Sequence, residues 1–354
     1  MENLRTGLSY GDVLLVPQRS PVDSRSDVDL STPLTPGIEL DTPLLSAPMD
    51  TVTEHETAIA LGRAGGFGTI HRFLSVDEQA AEVRKVAEAE QPVGAAVGIA
   101  EDSVARTAAV LDAGADCVMV DVAHGHLERC LDAVETLRAE FPDAELVAGN
   151  VATPDGVADL YHAGADAVKV GIGPGSHCTT RRVAGAGVPQ LTAIDDCSEK
   201  ARELGVPIVA DGGIRSSGDA VKALMAGADT VMMGSLFAGT EEAPPDIVHI
   251  GGEPYKRSRG MATTAAAEDR SDKDEGAALV GADEGVEGFT EYEGPLEGVA
   301  EEFTAGIRSG LSYCGGHTIP AAREKAEFIR VEQAAKEREG AHGDHDWESV
   351  SVDD

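Results

Sequence analysis

Short runs of apolar residues alternate along the chain with segments of helical periodicity. The runs show no period-two alternation, which is typical of strands that are covered on both faces in a parallel sheet. Helix-like segments such as SVARTAAVLDA, TPDGVADLYHA and SSGDAVKALMA stand between them. The pattern predicts eight strands, at 43–48, 66–70, 92–99, 117–121, 145–150, 167–171, 207–213 and 230–234.

Three of these units repeat one another, as AGADCVMVD (113–121), AGADAVKVG (163–171) and AGADTVMMG (226–234). Each reads as a helix end, a glycine turn and a buried strand. Eight such units with Gly, Asp, Ser or Cys at the strand ends predict an α/β fold, a (β/α)₈ TIM barrel with its site at the carboxyl ends of the strands. A doubly wound sheet would instead carry an early GxGxxG fingerprint. The nearest match, GIGPGS (171–176), contains a proline, which disfavours that fold.

The repeating pattern stops in a polar, Gly- and acid-rich stretch from 240 to about 294. A long irregular insertion in a compact domain is typical of a lid or a disordered segment, so we predict a mobile flap. Helices are predicted at about 296–309 and 319–339. We expect one catalytic barrel over 1–339 and a disordered acidic tail over 340–354.

The net charge of -35 comes from 63 acidic and 28 basic residues spread along the chain. Such a charge repels nucleic acids and anionic membranes, so we expect neither as a partner. Two interpretations remain: an acidic patch for a cationic partner, or a salt-adapted acidic surface, which we favour. No apolar run approaches the roughly 20 residues of a membrane span, and nothing resembles a secretory signal. We therefore expect a cytoplasmic protein.

Five cysteines are widely spaced and lack CxxC or Cys/His metal spacing, so free thiols and no zinc are expected. Cys178 lies in GPGSHCTTRR (173–182), beside Ser, two Thr and two Arg, after a predicted strand. That setting favours a thiolate nucleophile, although a half-buried loop cysteine is the alternative. The remaining cysteines are predicted to be packing residues: Cys117, Cys130, Cys197 and Cys314.

Two glycine-containing loops, DGGIRS (211–216) and MGSLFAG (233–239), follow consecutive predicted strands. Late loops of barrels commonly build a phosphate site, because glycine lets backbone amides approach a ligand. We expect Asp211 to hold a ribose diol, and Gly213, Gly234 and Ser235 to bind a phosphate. A single such glycine is more often a simple turn residue, but two such loops in series beside the Cys178 loop favour the phosphate site.

Seven blocks occur in order: DVLLVPQRS, SAPMDTVTE, VDVAHGH, AGNVATPDG, VKVGIGPGSHCTTRRVAGAGVPQLTAI, VADGGIRSSGDAVKALMAGAD and FAGTEEAP. Over about 7–330 the chain resembles the IMP dehydrogenase/GMP reductase family. The resemblance implies a purine nucleoside monophosphate whose C2 is attacked by Cys178, with Ser176 joining the phosphate site. It also implies a homotetramer.

The resemblance implies further roles by matching position. Thr180 would activate water or ammonia, and Met261 and Glu284 would read the base. Three residues would lie near the nicotinamide cofactor: Asp121, Asn150 and Gly171. A potassium ion would sit on three backbone carbonyls: those of Gly173, Gly175 and Cys178. On physical grounds alone, Asp121 could cap the next helix and Glu284 could be a solvated acid.

The direction of the reaction divides the family. IMP dehydrogenases oxidise IMP to XMP with NAD and water, whereas GMP reductases convert GMP to IMP and ammonia with NADPH. The segments VDVAHGH and EGVEG (284–288) resemble those of dehydrogenases. The segment SRSDVDL (24–30) and the absence of room for inserted CBS modules are more typical of reductases. We predict an IMP dehydrogenase, with a GMP reductase as the alternative. An FMN-binding barrel oxidoreductase and a non-catalytic nucleotide sensor are further alternatives.

Three substitutions depart from the family pattern. The catalytic Arg-Tyr pair of dehydrogenases aligns with Arg270 and Ser271, so only the arginine is kept. The flap glutamate of reductases aligns with Leu279, and the tyrosine that touches phosphate is replaced by Ser258. Neither flap pattern is therefore complete.

Overall fold

Eight parallel strands form a closed barrel in the computed structural model, which describes residues 4–268 and 284–338. Each strand pairs with the next in sequence, and the eighth pairs with the first to close the ring. The strands are β1 Leu44–Ser46, β2 Phe67–Ile70, β3 Val93–Val97, β4 Cys117–Asp121, β5 Glu145–Val151, β6 Ala167–Val170, β7 Ile208–Asp211 and β8 Thr230–Met233. The predicted TIM barrel and all eight predicted strands are confirmed.

A long helix follows each strand and packs on the outside of the barrel. These helices are α1 His55–Arg63, α2 Val76–Glu88, α3 Ser103–Asp112, α4 Glu128–Glu140, α5 Pro154–Ala163, α6 Gln190–Leu204, α7 Ser217–Ala226 and α8 Leu296–Cys314. Short helices at Thr180–Val183 and Ser235–Ala238 begin the connections after β6 and β8. Residues 71–75 alone join β2 to α2.

The repeated AGAD segments are the turns between a helix and the next strand. Gly164 and Gly227 have φ angles of 113° and 123°, in the region that glycine tolerates best. A Cβ atom on Gly227 would also lie 2.3 Å from the Cβ of Ser198. Glycine is therefore required there both by the backbone and by the neighbouring helix.

The apolar core has two parts. Leu45, Phe67, Met119 and Met232 fill the barrel interior, while a larger cluster joins the strands to the helices. A hairpin of Thr32–Thr35 and Ile38–Leu40 adds two leucines to the interior cluster. The four cysteines predicted to be packing residues are buried in these clusters: Cys117, Cys130, Cys197 and Cys314.

The predicted irregular flap contains a sheet where it is described. Ile247–Ile250, Glu253–Arg259 and Glu287–Glu291 form a three-stranded antiparallel sheet, which we call the flap sheet. The prediction of irregular structure is therefore wrong for these residues, because backbone pairing across the sheet forms although none of its apolar side chains is fully buried. A short helix, Thr264–Glu268, follows the second strand. Residues 269–283 of the predicted flap lie outside the described residues.

The predicted helix at 319–339 is wrong. The chain forms a short helix at Ile319–Arg323, a strand at Phe328–Arg330 and a short helix at Gln333–Arg338. The strand pairs antiparallel with Val13–Leu15, so backbone pairing with the amino-terminal segment replaces helical hydrogen bonds. The predicted tail at 340–354 lies outside the described residues.

Short helices at Tyr10–Asp12 and Arg25–Asp27 complete the described amino-terminal segment. In the described ranges, no helix combines the length and the apolar character that crossing a membrane requires.

Candidate active site

The loops that follow β6, β7 and β8 meet at the carboxyl end of the barrel. A Cβ atom on Gly171 would lie 2.1 Å from the carbonyl oxygen of Asp211, so the first two loops are in close contact. The hydroxyl groups of Ser176 and Ser235 touch, which joins the first loop to the third. The structure therefore brings together the three loops that the sequence singles out.

Cys178 begins a chain of polar contacts in this cleft. Its Sγ donates to Thr180 Oγ1 at 3.2 Å, and the Thr180 hydroxyl donates to Glu284 Oε2 at 2.6 Å. All three residues are partly exposed. A thiol, a hydroxyl and a carboxylate in series can carry a proton away from sulfur, or away from a water molecule next to it.

Backbone contacts hold this series in place. The Cys178 N–H donates to the Gly175 carbonyl at 3.1 Å, which closes a tight turn. The Thr179 N–H donates to the Glu284 carbonyl at 2.9 Å, and Cys178 forms an isolated antiparallel bridge with Gly285. Glu284 is therefore placed by main-chain pairing with the cysteine loop, and is not the freely solvated acid of the alternative interpretation.

The remaining cysteines are poor nucleophiles. Burial raises the pKa of the Cys130 and Cys314 thiols to about 11 each. It raises that of Cys197 to about 12, and that of Cys117 well above its ordinary value. Because the thiolate is the reactive form, only Cys178 combines exposure with polar partners.

A buried lysine joins the residues predicted to face the cofactor and the ribose. Lys169, on β6, is 1% exposed, and its Nζ donates to Asp121 Oδ1 and Asp211 Oδ2 at 2.7 Å each. It also contacts the side-chain oxygen of Asn150. Asn150 Nδ2 donates to the Gly171 carbonyl at 2.8 Å and to Asp211 at 2.9 Å. One network therefore spans the ends of β4 to β7.

Electrostatics keep Lys169 charged. Burial alone would lower the pKa of Lys169, but attraction to the carboxylates of Asp121 and Asp211 outweighs burial and raises it. Asp121 does not cap α4, whose first flanking residue is Leu127, so the capping alternative is wrong. Sequence reasoning missed Lys169, although a lysine inside the apolar strand AVKV is itself a signal that carboxylates lie nearby.

The other predicted site residues lie at the same rim. A Cβ atom on Gly213 would lie 3.4 Å from the Cβ of Pro174 in the cysteine loop. One on Gly234 would lie 2.9 Å from the sulfur of Met49, so a side chain there would have to displace that methionine, whereas Gly213 is constrained by its φ of 80°. Met261 Sδ accepts from the Asp50 N–H at 3.4 Å. Gly173 has a φ of 79°, which starts the turn that presents Cys178.

Two contacts support this rim without having been predicted. The Arg259 guanidinium donates to Asp50 Oδ2, with Nε at 3.0 Å and Nη2 at 2.5 Å, and ties the flap sheet to the loop after β1. His177 lies between two serine hydroxyls, and burial lowers its pKa. Arg270, predicted to be catalytic, lies outside the described residues.

Comparison with known proteins identifies the family of this chain. The family model described as IMP dehydrogenase / GMP reductase domain matches residues 7–342. Inosine-5'-monophosphate dehydrogenase from Nitrosopumilus maritimus is 36% identical, covering 93% of this chain and 97% of the relative. GMP reductase from Leishmania donovani is 34% identical, covering 97% and 98%.

A solved structure has the same fold. It is a Cys-to-Ala variant of GMP reductase from Trypanosoma brucei in complex with guanosine 5'-monophosphate, with a TM-score of 0.92 and 30% identity. The match covers 97% of this chain and 99% of that one. The chain therefore belongs to the IMP dehydrogenase/GMP reductase family and is an oxidoreductase of that family.

Proposed function

We propose that the protein is an IMP dehydrogenase that converts IMP, NAD and water to XMP and NADH. The observation that carries the proposal is the contact series from the Cys178 thiol through Thr180 to the Glu284 carboxylate. It supplies a nucleophile and a proton acceptor at the carboxyl end of the barrel, where barrel enzymes act.

The phosphate and ribose sites are proposed on neighbouring contacts. Ser176, Ser235 and the glycines Gly213 and Gly234 would bind the 5'-phosphate, since the two hydroxyls touch and both glycines are partly exposed. Asp211 would hold the ribose diol. Its Oδ2 is engaged by Lys169 and Asn150, which leaves Oδ1 for a ligand.

In the proposed reaction, Cys178 loses its proton through Thr180 to Glu284, and the sulfur adds to C2 of the purine. Bound NAD would supply the acceptor for the hydride that leaves C2, and the sulfur remains attached as a thioimidate. Glu284 releases the cysteine proton to solvent, and water then adds to C2 while Glu284, through Thr180, takes a proton from it. The C–S bond breaks, XMP leaves and Cys178 is regenerated as a thiolate.

The nicotinamide cofactor fits the residues predicted for it. The Asp121 side chain is 26% exposed and uses Oδ1 for Lys169, so we propose Oδ2 as its contact with the cofactor. Asn150 donates a hydrogen bond to the Gly171 carbonyl, and we propose that both residues also lie beside the cofactor. Met261 and Glu284 are proposed to contact the base. Arg270 is proposed to activate the hydrolytic water.

A monovalent cation also fits the cysteine loop. Carbonyl oxygens are suitable ligands for potassium, and the Gly175 carbonyl, which accepts one N–H, keeps a second lone pair. We propose that the carbonyls of Gly173, Gly175 and Cys178 hold potassium. Replacing potassium with lithium should then lower turnover without unfolding the protein.

A paired assay tests the proposal. The purified chain with IMP, NAD and potassium at high salt should generate NADH absorbance. Consumption of NADPH on adding GMP, with no signal from IMP, would instead identify a GMP reductase. Binding without turnover, and without a Cys178 adduct, would indicate a nucleotide sensor, and yellow absorbance would indicate flavin. Family membership also supports a homotetramer, which sedimentation would measure.

A further inference from the structure

His177, next to the nucleophile, joins two hydroxyl groups. Its Nε2 lies 2.7 Å from Ser258 Oγ, and its Nδ1 lies 3.2 Å from Ser176 Oγ. The Ser176 hydroxyl in turn touches that of Ser235. The series runs from Ser258, which is 1% exposed, to the exposed Ser176.

The backbone around His177 fixes the position of the ring. The His177 carbonyl accepts the Val286 N–H at 2.9 Å, in the segment that leads into the flap sheet. A Cβ atom on Gly260 would lie 3.0 Å from the His177 carbonyl oxygen and 3.4 Å from its Cβ. The residue is therefore held between two segments of the flap region and keeps its ring on both serines.

The need of the buried Ser258 hydroxyl for an acceptor decides which group donates in each hydrogen bond of this series. A buried hydroxyl needs an acceptor for its proton, so we assign Ser258 as donor to Nε2. The neutral ring then carries its proton on Nδ1 and donates to Ser176 Oγ. Ser176 consequently keeps its own proton, which it can donate to Ser235 Oγ or to an acceptor on the exposed side. With the opposite tautomer, Ser176 would donate into the ring and face the cleft as an acceptor.

We infer that His177 is a phosphate-positioning residue whose ring holds the Ser176 hydroxyl as a donor toward the 5'-phosphate of the nucleotide. The inference rests on the proposed function, because it assumes a nucleoside monophosphate in this cleft. Hydrogen bonds to an ionised oxygen are stronger than neutral ones, so a fixed donor here favours a phosphorylated ligand over the nucleoside.

Three substitutions separate positioning from packing. His177→Leu removes both ring contacts, while His177→Asn places an amide at the position of Nδ1 and keeps the contact with Ser176. Ser258→Ala removes the partner that sets the tautomer. His162→Leu, at an exposed histidine on α5, is the matched control. Each variant is measured for KM and kcat with IMP and for competitive inhibition by inosine.

His177→Leu is expected to raise KM for IMP by roughly tenfold to a hundredfold, with kcat changed by less than about threefold. Inhibition by inosine, which lacks the phosphate, should stay unchanged. His177→Asn should restore most of the affinity, and Ser258→Ala should raise KM by a smaller factor. The control should match the wild type in every measurement.

An unchanged KM in His177→Leu overturns the inference, and so does an equal loss of affinity for IMP and inosine, since that result indicates a packing role. If His177→Leu fails to fold, Ser258→Ala decides, and an unchanged KM in that variant overturns the inference. If the wild type turns over GMP instead, the same comparison is made with GMP and guanosine. A wild-type protein that binds neither nucleotide removes the proposed function as well.

Discussion

Glu284 is the residue on which the proposed chemistry depends most directly after Cys178. Its carboxylate accepts a hydrogen bond from the Thr180 hydroxyl at 2.6 Å, and Thr180 Oγ1 accepts one from the Cys178 thiol. Glu284→Gln keeps the shape but cannot accept a proton, so turnover should fall by roughly a hundredfold to ten-thousandfold. Steady-state NADH formation measures this change.

Two comparisons sharpen the Glu284 prediction. Glu291→Gln, at an exposed position of the flap sheet, should leave turnover unchanged. Thr180→Val should cost about as much as Glu284→Gln, and the double variant little more, because residues in one contact series are not additive. Full turnover in Glu284→Gln would remove the carboxylate from the mechanism.

Replacing the buried Lys169 should destabilise the folded protein. Lys169→Met leaves Asp121 and Asp211 facing each other without the cation between them. Removing one partner of a buried ion pair typically costs roughly 3–5 kcal/mol of unfolding free energy. Urea unfolding measures this cost, and Lys200→Met, at an exposed pair with Glu203, should show no change.

The pH dependence of that variant has a definite sign. The pKa of Lys169 is raised in the folded protein, so its contribution is complete below the unfolded pKa of about 10.4 and is lost as pH rises through the folded pKa. The stability deficit of Lys169→Met relative to the wild type should therefore stay constant from neutral pH up to the unfolded pKa and shrink as pH rises above it, and a deficit that does not shrink at alkaline pH would contradict the network.

At the level of elements, one lysine attaches the flap sheet to the barrel. Lys256 is 2% exposed, and its Nζ donates to the carbonyls of Thr240 and Glu241 at 2.8 Å and of Ala243 at 2.7 Å. These carbonyls follow the short helix after β8. The sheet therefore depends on a buried cation that satisfies three main-chain oxygens at once.

Lys256→Met should loosen the flap sheet while leaving the barrel closed. Its three carbonyl partners would lose a buried donor, and each unsatisfied group costs about 1–3 kcal/mol. Hydrogen exchange should speed up at Glu253–Arg259 and Glu287–Glu291 and stay slow in the barrel strands. Arg257→Met, whose exposed guanidinium pairs with Glu287, is the control and should change exchange less. Uniformly faster exchange would indicate global destabilisation instead.

The elements that sequence reasoning predicted and missed differ in what holds them. The eight barrel strands are short, mainly apolar runs, and glycine turns precede β4, β6 and β8, so the sequence pattern alone reveals them. Phe328–Arg330 and the flap sheet are held by backbone pairing with distant segments, which leaves no periodic signal. Cys178 and Thr180 follow a strand and Asp211 ends one, so their positions indicated the site, but Lys169 and His177 gained their importance only from their three-dimensional neighbours.

For the whole molecule, charge is the dominant feature. With a net charge of -35, the folded chain is under strong self-repulsion at low ionic strength. The screening length falls from about 10 Å at 0.1 M to about 3 Å at 1 M salt, which removes most of that repulsion. We expect the midpoint of thermal unfolding to rise with potassium chloride.

Sodium chloride should stabilise to a similar extent, since screening does not depend on the cation, whereas sucrose at equal osmolality should act much less. Differential scanning calorimetry measures all three series. A midpoint that is insensitive to salt would contradict a salt-adapted surface, and a rise with sucrose alone would point to solvent exclusion instead of charge.

The positions of the five cysteines allow the folded fraction of a sample to be measured by thiol titration. Four thiols are buried in the core and one lies at the rim of the barrel. A thiol reagent should therefore modify one equivalent per native chain and five after denaturation. The ratio of the two titrations reports the fraction of molecules that is correctly folded, and a fluorophore introduced by this route would lie beside the proposed nucleotide cleft without any engineered site.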